Sequence, residues 1–161
     1  VTLDSTYKLY VVHFNGMHPE TDEKDLLVNF SSDGGSNYNV TKTSTAFRTY
    51  HIETDGEGGH GMSYENVRDL AQVTTGQSLS YSVGADADQA CSGYVYLFNP
   101  ADTTYVKSYF SRSAHSHAGD YAIGQYIDGY ANTTSAIDGI QFAFVSGEIQ
   151  AGSVSLYGIS T

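Results

Sequence analysis

At 161 residues and a formal net charge of -11, from 7 Lys+Arg against 18 Asp+Glu, the chain holds one domain with a surface that repels phosphate and anionic lipid. This effectively excludes nucleic-acid binding and electrostatic attachment to an anionic membrane, and no apolar run approaches the ~18 residues of a bilayer span. Only 16% of residues are charged; the polarity comes from Ser, Thr, Asn, Gly and 14 tyrosines, with no tryptophan.

Helix signals are nearly absent, and β-branched and aromatic runs alternate with turn residues. In chain order the predicted strands are Tyr7–Phe14, Asp25–Ser31, Ser44–Thr54, Ser78–Val83, Gly93–Phe98, Tyr105–Ser111, Tyr121–Gly129, Gly139–Val145 and Ser153–Ile159. Turns punctuate them: Ser32-Asp-Gly-Gly-Ser36 after the second, the Gly-rich stretch 55–61 after the third, and Asn99-Pro100 after the fifth. The last two are joined by a short Gly-containing loop and are expected to pair as a hairpin. Period-two alternation sets the faces: Ile140, Phe142 and Phe144 share one, and Val154, Leu156 and Gly158 share another. Ser63–Gln72 is the one stretch with apolar residues at helical spacing, and it reads equally well as an ordered loop. The fold class is therefore all-β: an antiparallel, jelly-roll-like β-sandwich of eight or nine strands with at most one short helix, forming one domain over 1–161.

Catalytic signatures are missing. There is no nucleophile elbow, phosphate loop or dinucleotide glycine pattern, and the acidic residues lie mostly in predicted loops, so no enzyme is expected. The single cysteine, Cys91 in Ala-Cys-Ser-Gly, has no cation beside it and is read as a small buried side chain. No cofactor is called for except a metal ion. His115 and His117, at i and i+2, project to one face if they lie on a strand, with His18, His51 or His60 as a third ligand. Asp55 and Glu57 offer oxygen ligands for calcium, as do Asp86 and Asp88. Tyr94 and Tyr96 lie on one face of their strand, and Tyr126 and Tyr130 near an end of theirs; these four are the candidate sugar- or partner-binding residues. No basic segment followed by an apolar one opens the sequence, so no signal peptide is expected in it. Val1 fits either a trimmed longer chain or a lost initiator Met.

Several segments, taken in order, carry a resemblance. They are Tyr7-Lys-Leu-Tyr10; Pro19-Glu-Thr-Asp22; Leu26-Leu-Val-Asn-Phe30 running into Ser32–Ser36; Gly93-Tyr-Val-Tyr-Leu-Phe-Asn-Pro100; and Ile149 through Ile159. Together, from Tyr7 to Ile159, the chain resembles a module of tailed-bacteriophage structural proteins. The resemblance implies a jelly-roll-like sandwich on the virion surface, as a capsid decoration, fibre or other appendage. Its partners would be further copies of itself, expected as a homotrimer, other virion proteins and a cell-surface glycan, with no nucleic acid and no membrane insertion. It implies no catalytic residue. The His115/His117 pair is similar to pairs that hold iron around the three-fold axis of some phage fibres. The competing expectation is a carbohydrate-binding module, extracellular, with a Tyr-lined face and possible calcium assistance.

Overall fold

The structure is a computed structural model that describes residues 3–54 and 59–160. Eleven strands follow one another: β1 (Leu9–Pro19), β2 (Leu26–Ser31), β3 (Lys42–Ile52), β4 (His60–Tyr64), β5 (Leu70–Val73), β6 (Gln77–Ser78), β7 (Cys91–Phe98), β8 (Lys107–His117), β9 (Tyr121–Ala131), β10 (Gly139–Phe144) and β11 (Ile149–Ile159). All pair antiparallel, and no helix occurs among the described residues. The large sheet runs β11-β1-β7-β8-β9-β3-β4, with β5 also on β3; the small sheet runs β10-β2-β6. The expected all-β, antiparallel, sandwich-like architecture is what the chain adopts.

The two sheets meet through side chains at alternate positions. Tyr10, Val12 and Phe14 of β1, Val95 and Leu97 of β7, Tyr109 of β8, Ile127 of β9 and Ala46 of β3 face inward. Against them pack Leu26, Val28 and Phe30 of β2 and Ile140, Phe142 and Phe144 of β10, the last three in the phase that alternation predicts. Aromatic edges bridge the layers, Phe30 to Tyr109 at 5.3 Å and Phe14 to Phe142 at 5.8 Å between centroids. Polar stitches accompany them. The fully buried Gln77 accepts from Ser44 Oγ at 2.5 Å and Tyr109 OH at 3.1 Å, and donates to the carbonyls of Arg68 and Ser78. Every capacity of that amide is used, as burial requires.

One open reading is resolved and three expectations change. Ser63–Gln72 is not a helix: its first two residues end β4, its last three lie in β5, and residues 65–69 make a turn in which Arg68 and Asp69 N–H donate to the Glu65 carbonyl. The turn is held by charge, not by an apolar face, since Val67 is 78% exposed. β10 and β11 do not form a hairpin; β10 joins β2 in the small sheet while β11 pairs with β1 in the large one. β1 does not stop at Phe14. A bulge at Gly16 (φ +61°) shifts the register and returns Met17 to the inner face against Cys91. The predicted fourth strand shrinks to Gln77–Ser78, with Val83 in isolated bridges to Lys24 and His117.

Candidate functional site

The outer face of the large sheet is the side turned away from the small one. Strand registers place a transverse row across it: Ser155, His13, Tyr94, Arg112, Tyr126, Phe47, Tyr64, one from each of its seven principal strands. A second row holds Tyr157, Val11, Tyr96, Phe110 and Asp128. Cross-strand rings lie on one another: Phe47 and Tyr126 stack at 4.6 Å, Tyr96 and Phe110 at 4.7 Å, and Tyr94 meets Tyr96 edge-on at 5.3 Å. The Arg112 guanidinium sits 5.2 Å from the Tyr126 centroid. Such pairs stabilise adjacent strands and leave half-buried aromatic flanks on the surface.

The four tyrosines singled out from sequence thus share one face. Tyr94, Tyr96 and Tyr126 belong to a continuous aromatic band; Tyr130 stands apart, beside Ser108 and Thr43. Sequence reading missed Phe47, Phe110, Arg112, His13 and Tyr157. Their strand parity is legible, but strand order, which makes them neighbours, is not.

His115 and His117 do project to one face of β8, the inner one. Their surroundings differ. His115 is buried, its Nε2 2.9 Å from the Tyr81 carbonyl and 3.0 Å from the Tyr81 N–H, and burial lowers its pKa to about 4. His117 Nδ1 accepts from Gly119 N–H at 2.8 Å. Among the described residues no group of three or more His, Cys, Asp or Glu is placed to hold a metal ion. The suggested third ligands lie elsewhere: His51 and His60 stack on each other on the outer face, and His18 Nδ1 contacts the Gln89 carbonyl at 2.7 Å. Asp55 and Glu57 lie outside the described residues; Asp86 and Asp88 are exposed. Cys91 is buried, and burial pushes its thiol up to about 12.

A second site lies on the inner face, at the end of β3, β8 and β9. Arg48, Tyr50, Tyr81, His117, Tyr121 and Ile123 line a cup of about 360 Å³. The β8–β9 turn brings His117 and Tyr121 together across three residues, the last of which, Asp120, takes a left-handed φ of +59°. Tyr81, from the segment after β6, lies between two guanidinium groups, Arg48 at 3.8 Å and Arg68 at 4.0 Å from its ring centroid. Those cations are neutralised by carboxylates. Arg68 donates to Asp25 (Nε to Oδ2, 2.8 Å) and to Glu65 (Nη1 to Oε2, 3.2 Å), and Arg48 Nε lies 3.0 Å from Glu65 Oε1, off the hydrogen-bond line. Asp25 also accepts from Ser82 N–H and Ser78 Oγ. Nothing in the sequence marks this cup, because its parts come from segments up to 75 positions apart (48 to 123) and meet only through the sheet.

Comparison of the chain with protein-family models, with described proteins and with solved structures returns no match.

Proposed function

We propose that the chain is a non-enzymatic structural component of a virion, a capsid-decoration or fibre protein, that works by associating with copies of itself and with neighbouring virion proteins. The observation that carries the self-association half is β11. Among the described residues it is paired on one side only, and it runs eleven residues with no charge and no proline. Val154, Tyr157 and Ile159 are 42%, 51% and 41% exposed. Sheet edges that must stay single are normally blunted by charge, proline or strong twist. This one carries only the irregularity at Gly152, whose φ of +124° suits glycine. A second copy presents the same unpaired edge, so antiparallel β11–β11 pairing about a two-fold axis is the simplest closed arrangement. The virion half rests on the sequence resemblance, which implied a trimer.

Light scattering tests it. The wild-type chain is expected to run as a dimer or higher closed oligomer, and Ser153→Lys/Ser155→Lys, which places charge along the edge, as a monomer. A wild-type chain that stays monomeric at high concentration removes the reading.

The aromatic band supports a second reading, recognition of a glycan by the outer face. Rigid, half-buried tyrosines with Arg112 among them offer amphipathic contact area to sugar rings. Glycan-array binding abolished by Tyr94→Ala/Tyr126→Ala is its expected signature; binding untouched by that pair removes it.

A further inference from the structure

We infer that the inner-face cup is a binding site for a neutral sugar ring, separate from both the β11 edge and the outer aromatic band. The inference goes beyond the structural role proposed above and does not depend on it.

Three rows of the inner face meet there, and Arg48, Ile123, Tyr50, His117 and Tyr121 from them line the cup. Ser113, Gln125 and Arg48 form one, His115, Ile123 and Tyr50 the next, and His117, Tyr121 and Ile52 the last. Two residues further along the same strands the corresponding row is Ser111, Ile127 and Ala46, under the small sheet. The inner face therefore changes from apolar and covered to polar and aromatic where the small sheet ends.

Two side chains of these rows keep unpartnered amide or guanidinium atoms. Gln125 is fully buried, and neither its Oε1 nor its Nε2 has a hydrogen-bond partner among the described residues; the same holds for Arg48 Nη1. Gln77, also fully buried, uses its whole amide. A native core seldom leaves such groups idle, since each costs roughly 1–3 kcal/mol without a partner. His117 adds a donor. With Nδ1 accepting from Gly119, the neutral ring carries its proton on Nε2.

The chemistry narrows the ligand. Arg48, whose Nη1 has no partner among the described residues, lines the cup beside His117, with its Nε2 proton, and three tyrosine hydroxyls, so a ligand there meets groups that both give and take hydrogen bonds, as its own hydroxyls would. Arg48 and Arg68 are matched by Glu65 and Asp25, and Asp22 and Glu23 also act on His117, so an anionic ligand is not called for. The walls are aromatic: Tyr81 and His117 are 4.9 Å apart, His117 and Tyr121 5.4 Å, Tyr50 and Tyr121 6.2 Å. Such rings pack on the C–H faces of a pyranose. The volume lies near the lower end of the roughly 300–1,000 Å³ typical of small-molecule sites, room for one sugar ring and little more.

Saturation-transfer NMR tests the assignment, using glucose, galactose, mannose and N-acetylglucosamine, with glucuronate and benzoate as charged and flat comparators. At least one neutral sugar is expected to bind in the millimolar range. Tyr50→Ala and Tyr121→Ala should weaken it about tenfold or more, with Tyr105→Ala, on the exposed segment before β8, leaving it unchanged. Thermal unfolding reports whether each variant is folded; if Tyr50→Ala is not, Tyr121→Ala carries the comparison. No transfer from any neutral sugar, a preference for glucuronate or benzoate, or loss through Tyr94→Ala alone would each overturn the assignment. Oligomeric state does not enter this readout, so failure here and failure of the self-association reading are separable.

Discussion

His115 sits toward the end of β8 with its Nε2 against the Tyr81 backbone, and burial holds its pKa near 4. The unfolded chain returns it to about 6.5, so between these values the unfolded state binds a proton that the native state refuses. Stability therefore rises with pH across this window and is lost as pH falls through it, by about 3 kcal/mol for a shift of this size. Denaturant midpoints at pH 7 and pH 4.5 should differ more for the wild-type chain than for His115→Gln. Lys42 behaves in the same sense at higher pH. Its ammonium is buried against Asn29 Oδ1 and the Val40 carbonyl, and burial lowers its pKa to about 8. Above that value the unfolded chain still binds the proton while the native chain has released it, so this group adds stability as pH rises from about 8 toward 10.5, as alkaline titration of Lys42→Met against wild type should reveal. Cys91 was read from its neighbours as inert, and its thiol, buried and held near 12, should resist alkylation until denaturant is added. Gly93 opens its predicted strand with nothing in the sequence to mark its contacts. A methyl there would meet the Arg112 carbonyl at 2.3 Å and Phe14 Cζ at 2.6 Å, so Gly93→Ala should cost at least ~2 kcal/mol in chemical denaturation.

At the scale of elements, alternation was the reliable guide. It placed Ile140, Phe142 and Phe144 on the core side of β10, and Val154 and Leu156 on the inner side of β11, because a strand with one buried face must repeat every two residues. It failed where geometry broke the repeat. Gly16 inserts a bulge that flips parity within β1, and nothing in Asn15-Gly-Met17 distinguishes that from a turn. The spacing of Val67, Leu70 and Ala71 leaves helix and ordered loop equally open, and the loop forms because the turn after β4 is ordered by Arg68, Glu65 and Asp25. Removing Arg68 leaves Asp25 and Glu65 largely buried without their cation, so Arg68→Met should lower stability by about 3 kcal/mol and loosen the Tyr81 segment to proteolysis. Leu156 is only half-buried, being on the edge strand. Leu156→Ala should therefore cost about 1–2 kcal/mol, against the ~2–5 kcal/mol expected for the fully buried Leu97→Ala, with thermal unfolding as the measure.

For the whole molecule, the sheet has divided its labour by face and edge. The inner face is core over most of its area and a polar cup where the small sheet stops; the outer face is an aromatic band; the β11 edge is bare. The sequence could place Tyr94, Tyr96, Tyr126 and Tyr130 on a surface, since their parity is readable within each strand. It could not gather Arg48, Tyr50, Tyr81, His117 and Tyr121, which requires knowing that β9 lies between β8 and β3.

The pairing of Leu9 with Ile159 has a kinetic side. β1 emerges from the ribosome early and has to wait for both of its neighbours, β7 and then β11. Until residues 149–159 are made, its second edge stays open to any strand that meets it. Folding governed by such distant contacts is slow, on the order of milliseconds to seconds once the chain is complete. In a crowded cell the nearest available strand is often on a sister chain, and an exchanged β11 would then hold two molecules together before either had closed alone.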